Sequence, residues 1–403
     1  MDNLILSDGI IITPFKKIND KILFIKNGKI EKIVGCTEFS NYPKNYTDGY
    51  KQIKLDGDYI SPGFIDIHTH GANGVDVVRD RIDPMAEFKV KHGTTGFLPT
   101  LWTGEFDQMI KACRRINDFM NNQSSGSKVL GINSEGPYLN PHLGVQRSDL
   151  VKTPKYEDYS RLIKAGNGNI RIMTVAPELE GALDLIKYLR LNNIIVSLGH
   201  SNIKIEKISE AVDLGITSIT HLFNAMGDAV SVERGVKAVG IQEELLIYDH
   251  LMCEVMSDKN GVHVKPTLIK IILRCKGIQN IILITDSMSM TGCPPGVYPL
   301  QDGREGVLKE GEDIVRVLEN NDIAGSAMTM NKVIKNFINH TGVKIEQAIQ
   351  MATFNPAKVI NLSHKKGEIK VGMDADIAVF NKEFEVKLTI VEGKISHNSL
   401  FSN

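Results

Sequence analysis

Six polar residues that can bind a metal ion or carry a proton each follow an apolar stretch of the chain. They are His68, His70, Glu135, His200, His221 and Asp286. His68 and His70 alternate along a predicted strand, so both imidazoles point to one face and can grip one ion. Because the set has nitrogen and oxygen donors and no thiolate, it suits one or two divalent ions of Zn, Fe, Mn or Co.

The middle of the chain alternates between strand-like and helix-like patterns. The apolar stretches with strand character are residues 60–67, 95–101, 128–132, 170–175, 194–198, 216–219, 251–256 and 278–284. Between them lie helical faces such as that of Met330, Val333, Ile334, Phe337 and Ile338. This order predicts an α/β fold, a (β/α)8 TIM-type barrel. A doubly wound sheet is the alternative, but no Gly-x-Gly-x-x-Gly opens a helix after the first strand.

Both ends of the chain are rich in short strands and turns. The stretches concerned are residues 4–12, 21–25, 30–34, 367–372, 376–380 and 388–391. Asn27-Gly28 predicts a tight hairpin between two of them. We therefore expect a small β-sandwich domain formed by both chain termini, residues 1–60 and 361–403. The barrel would comprise residues 61–360.

The barrel would bring the six polar residues together, because the carboxyl ends of its strands face the active site. Glu135 could then bridge two ions, each held by a histidine pair. An ion would lower the pKa of a bound water and polarise an amide carbonyl. Asp286 is placed to accept the water's proton and return it to a leaving amine. One such residue alone is usually structural, but six of them at the ends of five predicted strands favour a metal-dependent hydrolase.

Composition and charge exclude several other classes. The 403 residues carry a formal net charge of -1, so nothing favours a nucleic acid or an anionic membrane as partner. Five scattered cysteines without a Cys-x-x-Cys pair fit a reducing compartment. The start shows no signal-peptide pattern, and the apolar runs are too short to span a bilayer. We expect a cytoplasmic protein that acts on a small molecule.

A series of motifs runs through nearly the whole chain in a characteristic order. They are residues 61–71, Glu135-Gly136-Pro137, Gly199-His200-Ser201-Asn202, residues 220–226 (Thr-His-Leu-Phe-Asn-Ala-Met), Gly261-Val262-His263-Val264, Thr285-Asp286 and residues 323–327 (Ile-Ala-Gly-Ser-Ala). Together they resemble the N-acetylglucosamine-6-phosphate deacetylases of the amidohydrolase superfamily. The second and third histidine motifs, residues 199–202 and 220–226, are the most specific part of the resemblance.

The resemblance implies a fold, an activity and a metal site. The fold is a (β/α)8 barrel with a small β-sandwich domain, usually in a homodimer. The activity is metal-dependent hydrolysis of the acetamide of an N-acetylhexosamine 6-phosphate, foremost N-acetylglucosamine 6-phosphate. Glu135, His200 and His221 would be the main ligands and Asp286 the acid/base. Members that keep both histidines of the His-x-His pair can hold a second ion.

The resemblance also implies residues that contact the amino-sugar substrate. His263 matches the residue that touches the substrate and steadies the reacting carbonyl. Asn224 and Ala225 match the turn that holds the sugar phosphate, and Gln146 matches a further substrate contact.

One departure from the family pattern concerns phosphate recognition. Val232 stands where the family carries an Arg that reaches the phosphate in the neighbouring subunit, and Arg234 follows two places later. Either phosphate recognition is altered, or Arg234 or another base such as Lys259 serves instead. An Arg–phosphate bond contributes about 1.5–3 kcal/mol, so the substitution should show in substrate choice.

Three alternatives to a sugar-phosphate deacetylase stay open. The first is deacetylation of an unphosphorylated or different N-acetyl amino sugar or another N-acyl compound, which Val232 favours. The second is a non-catalytic homologue, against which the intact set of six polar residues argues. The third is a nucleobase deaminase, which the absence of a His-x-Glu motif disfavours.

Overall fold

The computed structural model describes residues 3–229 and 233–400. Its strands are β1 (Leu4–Ser7), β2 (Ile10–Ile12), β3 (Lys17–Ile18), β4 (Lys21–Lys26), β5 (Lys29–Gly35), β6 (Lys51–Lys54), β7 (Tyr59–Pro62), β8 (Phe64–Thr69), β9 (Gly71–Ala72), β10 (Val75–Asp76), β11 (Thr94–Trp102), β12 (Lys128–Val129), β13 (Ile132–Glu135), β14 (Ile170–Val175), β15 (Ile195–Leu198), β16 (Ile216–Ile219), β17 (Met252–Val255), β18 (Ile281–Leu283), β19 (Gly296–Pro299), β20 (Glu305–Leu308), β21 (Ile314–Val317), β22 (Ile323–Ser326), β23 (Ile377–Phe380), β24 (Val386–Val391) and β25 (Lys394–Asn398). Its helices are α1 (Cys36–Phe39), α2 (Asp83–Val90), α3 (Phe106–Asn122), α4 (Tyr156–Ala165), α5 (Ala182–Leu191), α6 (Ile205–Leu214), α7 (Ile241–Leu246), α8 (Pro266–Lys276), α9 (Met330–Thr341), α10 (Ile345–Ala352) and α11 (Phe354–Val359), with 3₁₀ helices at Lys44–Thr47 and Ile278–Asn280.

A closed ring of parallel strands forms the centre of the fold. β8, β11, β13, β14, β15, β16, β17 and β18 pair in that order, with the short β12 beside β11. The strands are almost wholly buried, as parallel strands covered by helices on the outside must be. The predicted (β/α)8 barrel is confirmed, and the closed order excludes the doubly wound sheet.

The ring closes between its first and last strands by a short bridge rather than by a long ladder. Thr69 and Ser287 form this bridge just beyond the ends of β8 and β18. The amide of Asp286 donates to the carbonyl of His68 at 2.9 Å, and the amide of His70 donates to the carbonyl of Ser287 at 2.8 Å. The seam of the barrel therefore lies directly beside the predicted metal ligands.

Helices cover the barrel through the apolar faces that the sequence predicts. In α9, Met330, Val333, Ile334 and Phe337 are buried, and in α10 the buried face includes Ala348, Ile349 and Ala352. No helix in the described ranges combines the length and the apolar character needed to cross a membrane.

Two sheets built from both ends of the chain form a small sandwich. One sheet has the order β5-β4-β1-β6 and the other the order β25-β24-β23-β7-β2-β3. Their facing side chains make a separate apolar core that includes Leu4, Leu23, Ile53, Ile377 and Ile390. The predicted sandwich from both termini is confirmed, as is the hairpin at Asn27-Gly28, where both residues have positive φ.

The structure corrects several predicted strands. Residues 128–132 are divided between β12 and the start of β13, and residues 278–280 form a 3₁₀ helix ahead of β18. Residues 60–67 form not one strand but two, because the chain leaves the sandwich at β7 and enters the barrel at β8. Gly63 lies between them, and a Cβ there would stand 2.1 Å from the Thr95 hydroxyl, so only glycine fits. Residues 367–372 form turns rather than a strand, because Gly367 and Gly372 both adopt φ of 90°.

A four-stranded antiparallel sheet, β19-β20-β21-β22, follows the last barrel strand. Its final strand is tied to the barrel, since the amide of Ser326 donates to the carbonyl of Asp286 at 2.8 Å. Met288, Leu300 and Val315 pack with Trp102 of β11 beneath the sheet. The sheet thus stands beside the open end of the barrel and forms one wall above it.

Candidate active site

The six predicted polar residues meet at the carboxyl ends of the barrel strands. His68 lies in β8 and Glu135 ends β13, while the others follow β8, β15, β16 and β18 by one to three residues. All six residues are at most 8% exposed. Two groups have their ligand atoms within 4.8 Å of one another, one of His68, His70 and Glu135 and one of Glu135, His200 and His221.

Glu135 is the carboxylate that joins the two groups. Its Oε2 lies 3.1 Å from Nε2 of His70. Its Oε1 lies 3.0 Å from Nε2 of His200 and 2.7 Å from Nε2 of His221. On the other side of His70, Oδ1 of Asp286 lies 3.2 Å from the same Nε2. The two carboxylates therefore flank the histidines. Glu135 can bridge the two groups, and Asp286 can accept a proton.

Each histidine turns its Nε2 atom toward the centre of the cluster. The Nε2 atoms of His68 and His70 are 3.3 Å apart, and those of His200 and His221 are 3.1 Å apart. Nitrogens that close repel unless a proton or a cation lies between them. This donor set, four imidazoles around a bridging carboxylate, fits one or two divalent metal ions.

In three of the four histidines, the opposite ring nitrogen is held from behind, which orients the ring. Nδ1 of His68 lies 2.8 Å from Oε2 of Glu254. Nδ1 of His70 faces the carbonyl of Thr100, and Nδ1 of His200 that of Leu143, each at 3.2 Å. These contacts favour the Nδ1–H tautomer, which leaves the Nε2 lone pair free to coordinate.

The electrostatics of the cluster favour a cation. Burial lowers the pKa of His70, but hydrogen bonds to Asp286 and Glu135 outweigh it and raise that pKa to about 9. For His68, burial likewise opposes protonation, and Glu254 and Glu135 raise its pKa well above the usual value. Burial opposes ionisation of Glu135, yet His68 and the other imidazoles hold its pKa well below the usual range. The same negative potential would attract a divalent ion.

Three of the six residues have a left-handed backbone. φ is 48° at His200, 26° at His221 and 48° at Asp286. Such conformations cost of order 1–3 kcal/mol at a residue other than glycine and cluster at functional sites. They turn each side chain from the end of its strand back over the barrel axis.

A cavity of about 190 Å³ opens onto the cluster. Its lining includes His70, Glu135, His200, His221 and Asp286 together with Trp102, Gln146, Asn224, Met256, His263, Ala225, Ile323, Ala324 and Gly325. β22 supplies the last three of these residues. The cavity thus lies between the barrel mouth and the antiparallel sheet.

His263 forms one side of this cavity and is held at both ring nitrogens. Its Nδ1 lies 3.2 Å from Oδ2 of Asp258, and its Nε2 lies 3.2 Å from the carbonyl of Gly325. Asp258 also accepts the backbone amides of Val262 and His263 at 2.9 Å. Asp258, which fixes the loop that carries His263, was not identified as a site residue from the sequence.

The predicted substrate contacts Gln146 and Asn224 each carry a buried polar atom without a hydrogen-bond partner among the described residues. These atoms are Oε1 of Gln146, an acceptor, and Nδ2 of Asn224, a donor. Nε2 of Gln146 is already engaged, because it donates to the carbonyl of Leu143 at 2.6 Å. The cavity therefore offers one acceptor and one donor to a bound molecule.

The turn that carries Asn224 has an unusual backbone. φ is positive at His221, Phe223 and Ala225, with intervening residues of ordinary φ. Alternation of this kind can aim amide N–H groups into a concavity that favours an anion. The amides of Leu222 and Asn224 already donate to the carbonyls of Glu254 and His221 at 3.0 Å. Ala225 and Asn224 both line the cavity at this point.

The basic residues suggested for phosphate recognition do not line the cavity. Arg234 is exposed in a surface turn, and Lys259 borders a separate surface groove with Lys309, Lys332 and Lys335. Val232 lies outside the described residues. Along the parts of the chain that the structure describes, neither lysine nor arginine is found in the cavity lining.

Two further acidic residues that the sequence analysis did not identify hold the site together. Glu254 lies in β17 and contacts His68. Glu178 accepts the amide of Asn202 at 2.6 Å and the hydroxyl of Ser201 at 2.7 Å, and so fixes the loop after His200. Glu254 could have been identified from the sequence, because a carboxylate within an apolar strand needs a polar partner once the strand is buried.

Comparison with known proteins agrees with this geometry. The amidohydrolase family matches residues 59–396. The N-acetylglucosamine-6-phosphate deacetylase of Bacillus subtilis (strain 168) is 30% identical over 98% of this chain and 97% of its own. The N-acetylgalactosamine-6-phosphate deacetylase of Escherichia coli O157:H7 is 30% identical over 85% of this chain and 88% of its own.

A solved structure supports the same assignment. The N-acetylglucosamine-6-phosphate deacetylase of Pasteurella multocida superposes with a TM-score of 0.87 at 27% identity, covering 98% of this chain and all of that one. The match includes both the barrel and the sandwich. The chain therefore belongs to the amidohydrolase family, in the group of the N-acetylglucosamine-6-phosphate deacetylases.

Proposed function

We propose that the protein hydrolyses the acetamide of N-acetylglucosamine 6-phosphate to glucosamine 6-phosphate and acetate in a metal-dependent reaction. The observation that carries this proposal is the convergence of four imidazoles and two carboxylates beside a cavity that the turn at Asn224 and Ala225 also lines. The cluster serves amide hydrolysis, and the turn at Asn224 and Ala225 serves the phosphate. The related enzymes from Bacillus subtilis and Pasteurella multocida carry this activity in their names.

The metal would be held by the two groups described above. Two divalent ions would use Glu135 in common, and a single ion would use Glu135, His200 and His221. When bound, a divalent ion lowers the pKa of a coordinated water and polarises the amide carbonyl. The mixed nitrogen and oxygen donors suit Zn, Fe, Mn or Co.

Asp286 is proposed to move the proton in both halves of the reaction. Burial would raise its pKa, but the hydrogen bond from His70 and the charge of His68 lower it, so the carboxylate is ionised at neutral pH. It can therefore accept a proton as water attacks the amide carbon. It then donates that proton to the amine nitrogen as the C–N bond breaks, which yields acetate and the free amine.

His263 and Gln146 are proposed to hold the substrate during these steps. Asp258 fixes the ring of His263 through Nδ1. Its Nε2, which faces the carbonyl of Gly325, would exchange that carbonyl for the substrate's carbonyl oxygen as negative charge develops there. The free Oε1 of Gln146 can accept a hydrogen bond from a sugar hydroxyl. Nδ2 of Asn224, which has no partner among the described residues, and the amide of Ala225 are proposed to donate to the phosphate oxygens.

A second candidate substrate is an unphosphorylated N-acetyl amino sugar. The observation that favours it is the lack of lysine and arginine in the described cavity lining. The relative from Escherichia coli O157:H7, named for N-acetylgalactosamine 6-phosphate, also leaves the sugar epimer open. Only substrate competition can separate these choices.

The test is the rate of acetate release by metal-reconstituted protein. kcat/KM would be compared for N-acetylglucosamine 6-phosphate, N-acetylgalactosamine 6-phosphate and unphosphorylated N-acetylglucosamine. The proposal expects the highest value for the first. A higher kcat/KM for either of the other two sugars would identify that sugar as the better substrate. If none of the three released acetate, the proposed sugar deacetylase activity would be rejected.

We also propose that the enzyme is located in the cytoplasm and forms a homodimer. All five cysteines are free, which supports a reducing compartment. The homodimer is suggested by the family resemblance. Light scattering in solution would be expected to give about twice the chain mass of 44.6 kDa.

A further inference from the structure

Glu254 is a fully buried carboxylate directly behind the metal cluster. It lies in β17, is 0% exposed, and its Oε2 lies 2.8 Å from Nδ1 of His68. The same oxygen accepts the backbone amide of His221 at 3.3 Å. Its second oxygen, Oε1, has no partner within the described ranges.

Such a residue needs a reason, because burying a carboxylate is costly unless a charge or strong hydrogen bonds compensate. One imidazole and one backbone amide are few partners for a carboxylate that is fully buried. Apolar neighbours, Cys253 and Val255, flank it along the strand. A divalent charge on the far side of His68 would supply the missing compensation.

The four histidines of the cluster differ in what stands behind them. Backbone carbonyls face Nδ1 of His70 and of His200. Nδ1 of His221 has no partner among the residues that the structure describes. In that part of the chain, His68 alone has a carboxylate behind it. A carboxylate both fixes the tautomer and makes the imidazole a stronger ligand than a carbonyl does.

We propose that Glu254 is a positioning residue that makes the His68–His70 side of the cluster competent to hold a divalent ion. It acts through His68, whose Nε2 it directs toward His70 and Glu135. The proposal rests on the metal site of the proposed function. It assigns Glu254 no part in ligation and no contact with substrate, because it is not among the cavity-lining residues.

The test measures metal binding by the metal-free protein rather than activity. Wild type and Glu254→Gln would be titrated with Zn²⁺ against a chromophoric chelator. Glu254→Gln is expected to weaken the ion bound through His68 by roughly 10- to 100-fold. The ion held by Glu135, His200 and His221 should keep its Kd. Glu312→Gln is the matched control, because Glu312 also has an unpartnered buried oxygen but lies away from the cluster.

A thermal measurement separates positioning from a purely structural role. The readout is the rise in Tm that Zn²⁺ produces, because the Tm without metal also reports the lost contact between Glu254 and His68. With Zn²⁺, the variant should show a smaller rise in Tm than wild type. A lower Tm without metal together with an unchanged rise would overturn the proposal, because Glu254 would then serve packing alone.

The ring of His68 provides a direct readout. In ¹⁵N-histidine spectra of the Zn²⁺ form, the His68 signal, identified by its loss in His68→Gln, should report the Nδ1–H tautomer in wild type. Glu254→Leu should disturb it. Equal spectra and equal Kd values in wild type and both Glu254 variants would reject the role of Glu254 and leave the proposed function standing. If wild type binds no divalent ion, the proposed function fails as well.

Discussion

The hydroxyl of Thr285 donates to Oδ2 of Asp66 at 2.7 Å across the seam between the last and first barrel strands. The same oxygen lies 2.8 Å from Nζ of Lys89, which reaches it from α2. Asp66 is 0% and Lys89 5% exposed. Because the backbone bridge at this seam is short, a buried ion pair and a hydroxyl stabilise the closure just below the metal ligands.

Lys89→Met should strongly destabilise the protein. It leaves Asp66 buried with only hydrogen bonds from Thr285, and breaking a buried pair in this way typically costs 3–5 kcal/mol. The free energy of unfolding from urea titration measures the loss. The double variant Lys89→Met with Asp66→Asn removes both charges and should recover part of it. A single variant within about 1 kcal/mol of wild type would show that the pair is not important.

Asp286→Asn should abolish proton transfer while metal stays bound. General acid–base catalysis contributes roughly 10²–10⁴-fold, so kcat should fall by that factor. Elemental analysis should find metal retained through Glu135, His200 and His221. Asp322→Asn, at an exposed position before β22, serves as the control and should keep the wild-type kcat. Near-full turnover in Asp286→Asn would rule out the assigned role.

Asn224→Ala should weaken the binding of phosphorylated substrate and leave that of unphosphorylated substrate unchanged. A hydrogen bond to a charged group contributes about 1.5–3 kcal/mol, which is roughly a 10- to 150-fold change in affinity. We therefore expect KM for N-acetylglucosamine 6-phosphate to rise by about this factor. The kinetic constants for the unphosphorylated sugar should stay unchanged. Equal losses on both sugars would mean that Asn224 shapes the turn and does not bind phosphate.

His92 should make stability depend on pH in the mildly acidic range. Burial and the nearby Lys332 and Lys89 lower its pKa from 6.5 to about 4. Above pH 6.5 the ring is neutral in both states, and stability is highest. As pH falls toward 4, the unfolded chain binds the proton first, and about 3 kcal/mol is lost. In His92→Gln, urea titrations at pH 7 and pH 5 should differ less than in wild type. An unchanged difference would assign the effect to other groups.

The metal-ligand candidates could be predicted because they follow strongly apolar strands. His68, Glu135 and His221 are polar residues at the ends of buried stretches, where a parallel barrel collects side chains from distant parts of the sequence. Their roles stay predictions, but the structure brings them within hydrogen-bond distance. The local sequence pattern was therefore enough to predict which residues form the cluster.

Residues that support the cluster from within the strands were harder to predict. Glu254 interrupts the apolar stretch 251–256, and the stretch still predicts a strand because its neighbours dominate the pattern. The partner of Glu254 lies almost two hundred residues earlier, so only the folded barrel reveals it. The division of residues 60–67 had a similar cause. Gly63 marks a close approach to Thr95, and such contacts have no local pattern.

The sandwich has a consequence for biosynthesis. Its six-stranded sheet joins Pro62 of β7 to Ile377 of β23, so the whole barrel is translated between the two partners. During synthesis, the N-terminal strands therefore lack this partner. The edge of β7 stays unpaired until β23 has been translated. Contacts this distant in sequence form slowly and leave such edges open to aggregation. A nascent chain stalled before β23 would need chaperone protection even with its barrel complete.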